Sequence, residues 1–182
     1  IALLLLSLFL PWWALQGDSA DLETSTQLFF FPQNMITTYH SDESMTGEMA
    51  YLPDEIMMLI SVIIIATITS SILIIISQYV KKRTSAKQRY QKIFMLTILF
   101  LLLASLVGFL FAMNEVSRIS VGSIIGSGKV EFGVPGESSL YNVNCTWGPS
   151  LGFYFFLIAT IVYLSQIIYN IVKRLWKKNE PE

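Results

Sequence analysis

Three stretches of the chain run without a charged residue, and each is long enough for a helix to cross a bilayer. They are Ile56–Tyr79 (24 residues), Ile93–Met113 (21) and Pro149–Val172 (24), where about 30 Å of hydrocarbon needs about 20 apolar residues. A soluble core helix of that length keeps a charged face toward water; none of these has one. A fourth apolar segment, Ile1–Leu10, runs into Pro11-Trp12-Trp13. Ten helical residues rise only about 15 Å, and the chain opens on Ile rather than Met. Residues 1–13 are therefore expected to be the end of a first transmembrane helix, the competing reading being the apolar core of a secretory signal.

Between these stretches the period changes. In the second long loop, Ser117–Ile125 is rich in Val, Ile and Ser and is predicted as a strand. Gly126-Ser127-Gly128 is predicted as a turn, and Lys129–Val134 alternates Val130, Phe132 and Val134 with Glu131 and Gly133. That is a hairpin signal. Pro135-Gly136 supplies a further turn, and Leu140–Thr146 is a third strand candidate. In the first loop Leu28–Phe31 and Asn34–Tyr39 are strand-like, interrupted by Pro32. An isolated hairpin is marginal in water, so one small antiparallel sheet built from both loops is the economical solution. Pro53-Asp54-Glu55 and Gly148-Pro149-Ser150 read as helix starts, with acids at the positive end of the dipole in the first and Pro149 at the first helical position in the second.

Charge orients this plan. Lys81, Lys82, Arg83, Lys87, Arg89 and Lys92 share one loop, and Lys173, Arg174, Lys177 and Lys178 lie in the tail. These two segments sum to +8, and the other two loops to −9. The positive-inside bias puts the basic segments in the cytoplasm. The expected order is a first transmembrane helix (1–13), extracellular loop (14–55), second helix (56–79), cytoplasmic basic loop (80–92), third helix (93–113), strand-rich extracellular loop (114–148), fourth helix (149–172) and cytoplasmic tail (173–182). The fold class is thus an all-α transmembrane four-helix bundle carrying a small extracellular antiparallel β-sheet formed by two loops, in the plasma membrane with both termini cytoplasmic.

Composition narrows the chemistry. Of 182 residues 53% are hydrophobic and 14% charged, about half the charge of a soluble domain, which excludes a nucleic-acid binder and a disordered chain. One cysteine, Cys145, and one histidine, His40, exclude a disulfide framework and a Cys/His zinc site within one chain. The three complete spans contain no Asp, Glu, Lys, Arg or His, so they hold no proton relay or voltage sensor. Asp42, Glu43, Glu48, Asp54 and Glu55 match no calcium loop and read as a solvated acidic face. No phosphate loop, nucleophile elbow or metalloprotease motif is present; no catalytic residue, metal or cofactor is expected.

What stands out is packing and surface. Ala104, Gly108 and Ala112 recur every four residues in the third helix, Gly148 and Gly152 in the fourth, and Ala66 and Ser70 in the second; such spacing lets helix backbones approach closely. Trp12, Trp13 and Trp147 are expected in an aromatic belt at the outer interface, with Trp176 at the inner one. Asn144-Cys145-Thr146 is an acceptor sequence for N-glycosylation at Asn144.

The plan resembles the claudin and stargazin superfamily of tetraspanning proteins. Trp147-Gly148-Pro149-Ser150-Leu151-Gly152-Phe153-Tyr154 is similar to that family's entry to its fourth helix, and Trp12/Trp13 lie where it has a tryptophan early in its first outer loop. The family's paired cysteines of that loop are absent. The resemblance implies four helices, internal termini, a shared outer sheet and an adhesive or accessory role. The expected function is a non-enzymatic accessory or scaffold subunit in the lipid bilayer, binding a membrane-protein partner or further copies of itself. The alternatives are a subunit of an oligomeric channel or transporter and, third, a membrane enzyme.

Overall fold

Helical and extended segments alternate in blocks along the chain. The computed structural model describes residues 1–19, 24–30, 35–39, 43–45, 54–81, 88–133 and 140–178. In order these form α1 (Ala2–Phe9), β1 (Trp13–Ser19), β2 (Thr24–Phe30), β3 (Met35–Tyr39), β4 (Glu43–Met45), α2 (Asp54–Lys81), α3 (Gln88–Ser120), β5 (Gly126–Gly133), β6 (Leu140–Pro149) and α4 (Leu151–Lys178). His40, Asp42, Glu48, Pro32, Pro53, Pro135-Gly136 and the basic residues Lys82, Arg83 and Lys87 lie outside the described residues.

The protein is mostly helical with one small antiparallel sheet. Its strand order is β4-β3-β2-β1-β6-β5, so four strands come from the α1–α2 connection and two from the α3–α4 connection. The two sets meet along β1 and β6, where Trp13 pairs with Pro149, Leu15 with Trp147 and Gly17 with Cys145. The expectation of one sheet drawn from both loops matches this topology. Among the helices α2 lies along α3 and α1 along α4, with α3 also on α4 and α1 on α2.

Two helical stretches, Lys92–Arg118 and Leu151–Lys173, are long and apolar enough to cross a membrane, and only 28% and 33% of the apolar 18-residue segment in each is buried within the chain. The described side chains of α2 form a shorter apolar stretch, Ser61–Ser77. On α3 one strip is buried (Ile98, Leu102, Leu106, Phe109, Met113), while Leu96, Phe100, Leu103, Val107 and Phe111 face outward, Phe100 with 71% of its surface exposed.

Several boundaries differ from expectation, each for a local reason. The first helix does not reach residue 13. It ends at Phe9, and the chain is extended by Trp13. The strand predicted over Ser117–Ile125 is absent because α3 continues to Ser120, supported by the Arg118–Glu115 ion pair at 3.2 Å. The helix closes when the N–H groups of Val121 and Gly122 both donate to the Ser117 carbonyl (2.8 and 2.7 Å). Gly122 has φ +84°, a conformation open to glycine without steric cost. Gly126-Ser127-Gly128 is not a turn but the start of β5. Pro149 is not the first residue of a helix; it ends β6 opposite Trp13.

Candidate functional site

The site with the most structure behind it is the junction where the sheet is fastened to the helices. Its centre is Trp12, fully buried between α1 and β1. The indole meets Phe109 of α3 edge-on with centroids 4.9 Å apart, and lies 4.9 Å from Phe156 and 6.4 Å from Phe153 of α4. Its Nε1 donates to the Ser7 carbonyl at 2.7 Å, one of the end carbonyls of α1 that no helical N–H can reach. One side chain therefore caps α1 and packs on α3 and α4 immediately before β1 begins.

The backbone completes the joint. Ser150 donates to the Trp12 carbonyl (2.9 Å) and Gly152 to the Pro11 carbonyl (2.8 Å), so amides at the start of α4 that lack helical partners are satisfied by the α1–β1 corner. This approach demands glycine at 152: a Cβ there would lie 2.5 Å from the Leu10 carbonyl oxygen and 2.6 Å from Trp12 Cδ1. The other two tryptophans fasten the sheet to the segment after α3. Trp13 Nε1 donates to the Ile124 carbonyl and Trp147 Nε1 to the Ser123 carbonyl, both at 2.9 Å. These carbonyls are thereby committed to indoles rather than to a sheet ladder.

Alternation then sorts the sheet into two faces. Trp13, Leu15 and Gly17 on β1 and Val143, Cys145 and Trp147 on β6 are buried, with Val130 of β5 partly so. Bulk is matched by glycine across strands. Trp147 lies opposite Gly126, where a Cβ would come within 2.9 Å of its ring, and a Cβ on Gly17 would overlap the Cys145 sulfur. The opposite face carries a polar row. Gln16, Thr146 and Ser127 are exposed on it, and the register runs Ser44–Thr38–Gln27–Gln16–Thr146–Ser127 across all six strands. These six register positions hold uncharged hydroxyl and amide residues, and the next row along on that face, Ile36–Phe29–Ala14–Gly148, holds apolar ones.

The predicted site residues are distributed as follows. Trp12, Trp13 and Trp147 are corrected from belt residues to core residues: an indole N–H can be satisfied by a backbone carbonyl as well as by interfacial water, and here it is. Trp176 is 79% exposed. Gly148 is not a helix-packing residue of α4, since it lies in β6 opposite Ala14; Gly152 packs against the α1–β1 corner. In α3 the small residues do not form one packed stripe: Ala112 is buried, Gly108 half-buried and Ala104 exposed, because four-residue steps drift around a helix of 3.6 residues per turn. Ala66 and Ser70 of α2 are buried. Asn144 is exposed with Thr146 on the polar face, placed between Asp18 and Lys129 by the register.

Sequence reasoning missed β1, β4 and the glycine–tryptophan matching. The signal was there: Trp13, Leu15 and Gly17 alternate with Ala14, Gln16 and Asp18. Among the described residues no three His, Cys, Asp or Glu side chains gather as a metal site would require. No protein family, curated protein or solved structure matches this chain.

Proposed function

We propose that this chain is a non-enzymatic membrane protein that spans the bilayer with its helices, carries the sheet outside and both ends inside at the plasma membrane, and serves as an accessory or scaffold subunit. It binds other proteins through the outer face of the sheet and through helix faces. The observation that carries the membrane reading is the outward strip Leu96, Phe100, Leu103, Val107 and Phe111 on a helix with no charge between Lys92 and Glu115. An apolar surface that long is unfavourable in water and marks contact with lipid or protein. The +8 and −9 partition of charge supports the orientation.

The polar row from Ser44 to Ser127 supports the binding role. It lies on the face away from the buried tryptophans, on a sheet held to the helices by hydrogen bonds and aromatic packing. A rigid surface binds without first losing the entropy of ordering its loops. A shared sheet on a four-helix frame is also the plan of the claudin and stargazin superfamily, and that kinship is part of this proposal.

Three measurements test it. Ser127→Cys should react with a membrane-impermeant maleimide on intact cells and Ser85→Cys should not, while the native Cys145, 1% exposed, stays silent; the reverse pattern refutes the orientation. Partners recovered in mild detergent should be lost when Gln16 and Thr146 are both changed to Lys, with the chain still inserted. In vesicles the purified protein should move neither ions nor small solutes. Saturable uptake or single-channel current would favour a channel or transporter subunit instead.

A further inference from the structure

Among the described residues the sheet ends in β5, an eight-residue strand whose one partner there is β6. A free edge of that length presents unpaired N–H and C=O groups, and charged side chains or a proline on an edge ordinarily discourage pairing with another strand. Here the charges on the edge are Lys129 and Glu131, of opposite sign and placed symmetrically about Val130, so a second copy in one register pairs them instead of being repelled. We propose that β5 is a self-association strand, pairing antiparallel with β5 of a second copy about a twofold axis through Val130. The proposal rests on the reading of the sheet as the recognition surface and names its partner.

Symmetry limits the choice of register. Residues directly opposite in an antiparallel pair share a face, so a twofold axis perpendicular to the sheet must pass through a residue paired with itself. Centring on Lys129 sets lysine against lysine, and centring on Glu131 sets glutamate against glutamate, both unfavourable. Centring on Val130 sets Lys129 opposite Glu131 of the second copy twice over, and keeps seven of the eight residues of β5 paired. The same register sets Phe132 of one copy opposite Gly128 of the other. Gly128 is exposed although the Trp147 ring lies 3.4 Å from where its Cβ would be, and an edge glycine beside an aromatic ring is a place that an aromatic from a neighbouring strand covers. Charge and shape thus select one register.

The test is a charge-reversal cycle on the full chain, with dimer fraction read by fluorescence energy transfer in lipid vesicles. Lys129→Glu and Glu131→Lys should each weaken the dimer about tenfold or more, because each turns two attractive pairs into two repulsive ones. The double variant should return to within about threefold of wild type. Independently, Val130→Cys should form a disulfide-linked dimer on mild oxidation, whereas Lys129→Cys alone should not. A monomeric wild type, a dimer indifferent to the single reversals, or a double variant that does not recover overturns the proposal. A monomer would leave binding of other proteins standing, whereas solute flux through a self-associated pair would refute the accessory reading and leave the dimer intact.

Discussion

Replacing Gly152 by alanine sets two effects of opposite sign against each other. A helical Gly→Ala change gains up to about 1 kcal/mol from propensity, and less in the first turn, where Gly152 sits. Against this stands a Cβ placed 2.5 Å from the Leu10 carbonyl oxygen, 2.6 Å from Trp12 Cδ1 and 2.9 Å from the Leu10 carbonyl carbon. Two of these three atoms are backbone, so relief requires moving the α1–β1 corner away from α4. Such overpacking costs about 1–3 kcal/mol. The same movement stretches the Gly152–Pro11 and Ser150–Trp12 hydrogen bonds, each contributing about 1 kcal/mol. The net expectation for Gly152→Ala is a loss of about 2–3 kcal/mol, or roughly 5–10 °C in Tm for a chain of this size, read by thermal unfolding in detergent with tryptophan fluorescence. Gly148→Ala is the control. Its Cβ would meet only Ile125 side-chain carbons at 3.6–4.0 Å, an ordinary contact, so stability should hold within about 1 kcal/mol. If Gly152→Ala is as stable as wild type, or the two variants lose stability equally, the corner-to-helix joint is wrong.

The same unfolding assay checks three further expectations. Trp12→Phe keeps most of the aromatic packing but leaves the Ser7 carbonyl without its indole donor, and should cost about 1–3 kcal/mol. Ala112→Leu should cost about 1–3 kcal/mol because Ala112 is buried, whereas Ala104→Leu, on the exposed side of α3, should change stability by less than about 0.5 kcal/mol. Gly17→Ala places its Cβ into the Cys145 sulfur, so a double-mutant cycle with Cys145→Ala should show a coupling of about 1 kcal/mol, and strict additivity would show that β1 and β6 do not pack as described.

Period and length made the helices and half of the sheet legible. Charge-free runs located α2, α3 and α4, strand-like composition located β2, β3 and β6, and alternation over Lys129–Val134 located part of β5, whereas the hairpin expected between Ser117–Ile125 and Lys129–Val134 did not form. What escaped was the role of residues whose chemistry suits two environments. An indole needs apolar surroundings and one acceptor, and a membrane interface and a buried carbonyl both supply these; Trp12 and Trp147 therefore read the same in either place. Gly126 and Gly128 read as a turn because glycine is common there, yet they lie in a strand where the Trp147 ring leaves no room for a side chain at 126. Gly148 and Gly152 share a helical spacing, but Pro149 and Ser150 between them carry the strand-to-helix change. The end of α3 was obscured because Val and Ile favour strands, whereas here the acceptors for Trp13 and Trp147 come from the bend after the helix.

The helix interfaces themselves carry little positional information. Thr67, Ser71, Ser105 and Thr160 are buried, and each hydroxyl donates to the carbonyl four residues back on its own helix, at 2.8–2.9 Å. A hydroxyl so used satisfies its own need without holding a neighbouring helix. Contact between α2 and α3 then rests on apolar packing, Ile63 of α2 sharing the core cluster with Ile98, Leu102 and Leu106 of α3, and such packing is non-directional. The constraints that fix relative position are directional and lie at the sheet end: the Trp12 indole on the Ser7 carbonyl, the Gly152 and Ser150 amides on the corner, and the Trp13 and Trp147 indoles on the bend after α3. Force applied to the sheet would therefore pass to α1, α3 and α4 through Trp12, the Gly152 and Ser150 amides and the bend after α3.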